Sequence, residues 1–167
     1  MNRTIPPPSR PIEQFNITKA ETVHLSGGIP LHVIRSGQHD IIQFEIILRS
    51  GRWYEPSIGL SWFTAKMLAE GSRYKTSQEI SKFFEFFGAQ FKISPGIDLV
   101  TLSAIFLGKQ FEKIIPVIAE CLFEPAFPET ELETIKDLQI QELKVNNERS
   151  SYVATREIRR QLFGNYF

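Results

Sequence analysis

The side chains best suited to metal or acid–base chemistry are three histidines, His24, His32 and His39, all in or beside one predicted hairpin. His24 and His32 are expected to face each other across it. Zinc sites take at least three protein ligands as a rule, and no Cys, Asp or Glu stands near these residues at ligand spacing. They read as ordinary strand histidines. No Gly-x-Gly-x-x-Gly loop, Gly-x-x-x-x-Gly-Lys loop or Gly-x-Ser-x-Gly elbow occurs, so phosphate cradles and serine nucleophiles find no support. The lone Cys121 belongs to no disulfide or Cys-x-x-Cys pair and reads as a small buried hydrophobe.

Two charges stand where apolar residues are expected. In the helix predicted over Ser57 to Glu70, Leu60, Phe63, Met67 and Leu68 form one apolar stripe. Trp62, Ala65, Lys66 and Ala69 form a second at the same spacing, and only Lys66 is charged. An ammonium in that setting needs a counter-charge or a route to water. A later helix, from Pro128 through Asn146, supplies a counterpart. Ile135, Leu138 and Val145 mark its expected buried stripe, and Glu142 falls on the same stripe. The expectation is a direct Lys66–Glu142 ion pair; the alternative is a Lys66 that reaches solvent from a cleft and a Glu142 that is an ordinary helix residue.

The elements that must position these residues follow from local signals. Thr22 to Leu25 and Ile29 to Ile34 alternate around Ser26-Gly27-Gly28, which predicts a hairpin. Ile41 to Leu48 is rich in β-branched and aromatic residues and predicts a strand. Gly71 is expected at the C′ position of the Ser57 to Glu70 helix. Thr76 and Glu79 form a capping box, followed by Ile80, Phe83, Phe84 and Phe87 at helical spacing and a stop at Gly88. Ala89 to Ser94 and Ile97 to Leu107 predict a second hairpin around Pro95-Gly96. Phe111, Ile114, Ile115, Ile118 and Leu122 mark a helix that contains Pro116. Ser150 or Ser151 caps a last helix ending near Gly164. Hairpins imply antiparallel pairing, so the predicted class is α+β, a largely antiparallel sheet with helices on one face.

With 167 residues the chain has the size of one domain and buries on folding roughly 70% of the surface its unfolded form exposes. Lys plus Arg and Asp plus Glu each number 19, leaving no net field to concentrate the chain on nucleic acid or anionic lipid. Residues 1–20, with Pro6, Pro7, Pro8 and Pro11, read as a proline-rich arm, and residues 21–167 as the domain. Neither a signal-peptide apolar core nor a bilayer-length apolar run is found, so the default expectation is cytoplasmic.

A set of short segments resembles the insulinase, pitrilysin and mitochondrial processing peptidase family of zinc proteases. These are Gly27-Gly28-Ile29-Pro30, Arg49-Ser50-Gly51-Arg52-Trp53-Tyr54-Glu55, Gly59-Leu60-Ser61, Met67-Leu68, Gly71-Ser72, Phe87-Gly88-Ala89, Pro125-Ala126-Phe127-Pro128 and Glu131-Leu132-Glu133. Each is weak alone; their order and spacing carry the likeness, which covers about Glu21 to Gly164. In active members the helix after Gly-Leu-Ser carries His-x-x-Glu-His, two zinc ligands and a general base. Those positions here are Trp62, Ala65 and Lys66. Glu142 best matches the family's remaining glutamate ligand, with Gln141 the second alignment.

The resemblance therefore implies a zinc-protease homologue that has lost its catalytic motif and holds no zinc of its own, although active relatives do. The implied role is a peptide-enclosing partner of an active zinc-bearing subunit, or of a second repeat in the same protein. Family sequence continues beyond Phe167, so a fragment of a longer chain is expected. Two alternatives stay open at this point: a structural subunit that binds no peptide, and a zinc hydrolase with ligands relocated to His24, His32 or His39. An extended peptide is expected to add to an exposed edge, either Ile41 to Leu48 or the strand pair at 89–107. Trp53, Tyr54, Trp62 and the Phe cluster at 83–87 are candidate contacts, though aromatic stripes at helical spacing are mostly core.

Overall fold

The structure, a computed structural model, describes residues 17–37 and 39–164. Most of the proline-rich arm lies outside the described residues, and 17–20 adopt no regular structure. The chain divides into two compact units at the boundary between His39 and Asp40.

The first unit is an antiparallel hairpin of β1 (Glu21–His24) and β2 (Pro30–Val33). Gly27 and Gly28 both take left-handed φ, 93° and 79°, which side-chain-bearing residues rarely adopt. Two backbone bonds, Leu25 N–H to Ile29 O at 2.9 Å and Gly28 N–H to Leu25 O at 3.0 Å, close the turn.

The second unit is built on a three-stranded antiparallel sheet in the order β3-β5-β4, with β3 at Ile41–Leu48, β4 at Gln90–Pro95 and β5 at Val100–Leu107. Alternation sorts its side chains. Val100, Leu102, Ala104 and Phe106 point into the core, and Ile42, Phe44 and Ile46 join them from β3. The predicted second strand of this hairpin started at Ile97 but begins at Val100. Residues 96–98 are committed elsewhere: Arg52 N–H binds Gly96 O at 3.1 Å and Trp53 N–H binds Ile97 O at 2.9 Å. Here the backbones run so close that a Cβ on Gly51 would overlap the Ile97–Leu99 main chain.

Helices cover the core face of the sheet. One apolar cluster gathers Ile80 and Phe84 of α2 (Ser77–Phe86) with Ile114, Val117, Ile118 and Cys121 of α3 (Phe111–Phe123) on Ala104 and Phe106. A second gathers Ala65 and Leu68 on Ile93, Val100 and Leu102. The capping box forms as expected, Glu79 N–H donating to Thr76 Oγ1 at 3.3 Å and Thr76 N–H to Glu79 Oε2 at 2.8 Å. Among the 83–87 aromatics, Phe84 is core, Phe83 and Phe87 are half-buried, and Phe86 is exposed.

The chain ends in α4 (Glu129–Asn147) and α5 (Ser150–Phe163), which pack against each other. Neither contains a buried residue. This corrects the expected stripe on α4: Ile135 is half-buried, but Leu138 is 64% and Val145 51% exposed. Periodicity marks the apolar face; only a neighbour covers it, and the described residues leave Leu138 and Val145 exposed. The observed order of elements and the antiparallel sheet give the α+β class read from the sequence. Among the described residues no helix is long and apolar enough to cross a membrane.

Candidate functional site

The helix carrying Trp62, Ala65 and Lys66 is α1, Leu60–Met67, shorter at both ends than the predicted Ser57 to Glu70. Its start is set from outside the helix. Gly59, with a left-handed φ of 89°, occupies the N-cap position and offers no side chain to cap the exposed amides. Glu55 does so instead: Oε1 accepts from Gly59 N–H and Oε2 from Ser61 N–H, both at 3.0 Å. Its side chain is only 6% exposed, and a carboxylate at a helix N-terminus also meets the favourable end of the dipole. The sequence reading quoted Glu55 only as part of a family segment and missed this role. At the other end Glu70 N–H bonds Met67 O at 3.1 Å in a tighter turn. Gly71, predicted as a C′ residue, instead forms a bridge with Thr76.

On this helix Ala65 is 1% exposed and packs into the cluster on the sheet. Trp62 and Lys66 lie one turn apart and are half-buried. The Lys66 ammonium sits 5.5 Å from the centre of the Trp62 ring, and Phe63 meets Trp62 edge-on at 4.9 Å.

α1 touches α4, yet the expected Lys66–Glu142 ion pair is absent among the described residues. Glu142 is exposed, so water solvates its carboxylate and burial does not drive it onto the ammonium. Lys66 turns to the indole instead. A zinc ion needs lone pairs at these positions. Indole N–H and ammonium are donors only, and Ala65 offers no polar side-chain atom. Glu142 supplies the one carboxylate of the set, so these residues do not fit a zinc centre.

The histidines do not supply one. The β1–β2 register sets Thr22 opposite His32 and His24 opposite Pro30, so the two imidazoles are diagonal neighbours rather than directly opposed. His32 Nδ1 is engaged by Thr22 Oγ1 at 3.0 Å. Among the described residues no group of three or more His, Cys, Asp or Glu is placed to hold a metal ion.

A second polar cluster joins α3 to the loop after α1. Lys75 Nζ donates to Glu120 Oε2 at 2.6 Å, and the buried Ser72 hydroxyl donates to Glu120 Oε1. Burial alone would raise the Glu120 pKa, but the hydrogen bonds from Lys75 and Ser72, with the Lys75 charge, hold it below the usual glutamate value. Arg73 N–H to Glu124 O at 2.8 Å and Ala126 N–H to Gly71 O at 3.0 Å tie the same loop to the end of α3. No sequence signal links Lys75 to Glu120, 45 residues apart.

Residues 33–166 match the family Insulinase (Peptidase family M16). An uncharacterized zinc protease of Rickettsia felis is 25% identical over 133 residues, 78% of this chain and 31% of that protein. Among solved structures, a peptidase M16 inactive domain from Pseudomonas fluorescens superposes with a TM-score of 0.83 at 22% identity, over 88% of this chain and 36% of that one. A protease from Helicobacter pylori gives 0.70 at 16% identity, over 79% and 32%. The chain thus spans about a third of the length of these relatives. The two structural likenesses establish the fold, and the match over 33–166 establishes the lineage: the chain belongs to the insulinase family of peptidases, family M16.

Proposed function

We propose that this chain is a non-catalytic member of its family, the first repeat of a longer protein, which encloses an extended peptide together with a zinc-bearing homologous subunit or second repeat. The observation that carries the reading is the identity and placement of Trp62, Ala65 and Lys66. Where active relatives carry zinc ligands and a general base, this chain has an indole, a buried methyl and an ammonium held on the indole. Two further features support it. The strand order leaves β3 and β4 as edges, and an edge strand accepts an extended peptide through main-chain hydrogen bonds. The exposed apolar residues of α4 and α5, among them Leu138, Val145, Ile158 and Leu162, offer a surface for a homologous partner.

The test is zinc content of the purified chain by plasma mass spectrometry, with Glu142→Gln alongside, and peptide cleavage with and without a zinc-bearing homologue. The expected result is background zinc in both proteins and cleavage only when the homologue is present. Stoichiometric zinc in the wild type that is lost in Glu142→Gln would overturn the reading and make the chain a metalloenzyme.

A further inference from the structure

A cleft of about 510 Å³ opens between the end of β3, the loop that follows it, and α1. Sites for small molecules span roughly 300–1,000 Å³ and are mostly apolar with a few placed polar groups. Leu48, Leu60, Ala65, Leu68, Val100 and Leu122 provide apolar walls. Of the degenerate motif positions only Ala65 contributes to the lining; Trp62 and Lys66 do not.

Its two charged side chains differ in what they have left to give. Glu55 is committed: both carboxylate oxygens accept backbone N–H groups, and Arg52 Nε lies 4.0 Å away. Arg49 is exposed, and among the described residues its guanidinium has no ion pair or hydrogen-bonded partner. An apolar cleft with one uncommitted guanidinium selects a ligand that has an apolar body and a single carboxylate, because the planar fork matches a carboxylate with two parallel hydrogen bonds.

We infer that this cleft binds an apolar monocarboxylate, with the carboxylate on Arg49 and the aliphatic body against Leu60, Leu68 and Leu122. A short fatty acid and the C-terminal leucine of a peptide share that chemistry. The inference does not depend on whether the protein binds zinc.

The experiment is calorimetric titration of the full chain with octanoate, octanamide, and a short peptide ending in leucine as free acid or amide. Each binding acid is expected to exceed its amide by about tenfold, as loss of a charge-assisted contact implies. A negative heat-capacity change should accompany apolar burial. Arg49→Gln should erase the difference between acid and amide. Thr64→Trp, at an exposed position on the cleft wall, should abolish binding while leaving the circular dichroism unchanged. Tight binding of octanoate alone, of the peptide acid alone, or of both upholds the site and names its source. Equal affinity for acid and amide in the wild type, an unchanged difference in Arg49→Gln, or no binding of any of the four compounds overturns it.

Discussion

The ammonium of Lys66 stands 5.5 Å from the centre of the Trp62 ring, one helical turn away, while Glu142 takes no part in the contact. A cation over an indole face contributes about 0.5–1 kcal/mol at a partly solvated site. In a double-mutant cycle of Trp62→Leu and Lys66→Met, urea denaturation should return a coupling energy of that size. A cycle of Lys66→Met with Glu142→Gln should return none, and a larger coupling to Glu142 than to Trp62 would contradict the geometry.

Glu55 replaces a missing N-cap at α1, so Glu55→Ala leaves the Gly59 and Ser61 amides without their acceptor. The expected loss is about 1–3 kcal/mol, the range for leaving hydrogen-bonding groups without their partner. Chemical denaturation measures it, and Glu55→Gln should recover part of the loss by keeping one amide oxygen as acceptor. Equal stability of all three proteins would show that α1 starts without this carboxylate.

The Lys75–Glu120 contact is pH-dependent in a known direction. Because folding lowers the Glu120 pKa, its contribution is present above the usual value of 4.5 and is lost as pH falls through the folded value. Lys75→Met should cost about 1–2 kcal/mol at neutral pH, since the pair is partly solvated at 29% and 13% side-chain exposure. The gap between wild type and variant should narrow in acid below 4.5. A gap that stays constant from neutral pH down to that range would remove the ion pair as its cause.

Gly51 has an ordinary φ of −70°, so its requirement is space rather than backbone freedom. Gly51→Ala drives a methyl into the main chain of Ile97–Leu99 and strains the bonds that hold 51–53 to 96–98. A loss of about 1–3 kcal/mol is expected, the range for overpacking a tight contact. Thermal unfolding reads it directly, and an unchanged Tm would mean that the two loops separate freely.

Cys121 is fully buried, and its pKa is raised to about 11, first by burial and then by the Glu120 charge. At pH 8 the thiol should react with a disulfide reagent far more slowly than a free cysteine, and at the ordinary rate only after unfolding. Rapid labelling of the native protein would show that the α3 core opens readily.

Much of the scaffold was readable because its signals are local. β3 is the predicted Ile41–Leu48, since β-branched and aromatic residues crowd one segment. α2 starts at the predicted Thr76 cap because donor and acceptor lie three residues apart. The first turn follows from two adjacent glycines that both need left-handed φ. The identities at positions 62, 65 and 66 were readable too, while their alignment with the zinc motif rests on the resemblance spread over many segments.

What the linear chain left open depends on which segments meet in space. Helical periodicity placed Glu142 and Lys66 on apolar stripes but carried no information on whether those stripes are covered. The structure leaves Glu142 in water and sets Lys66 on Trp62. The Glu55 cap, the Lys75–Glu120 bridge and the Arg49 cleft each join groups whose distance in space the residue spacing does not encode. The sequence by itself determined most of the elements and the family, because those reside in residue identity and short-range pattern. Only the tertiary structure decided which charges pair, which apolar faces stay bare and where the cleft lies, because those depend on desolvation and on the approach of distant segments.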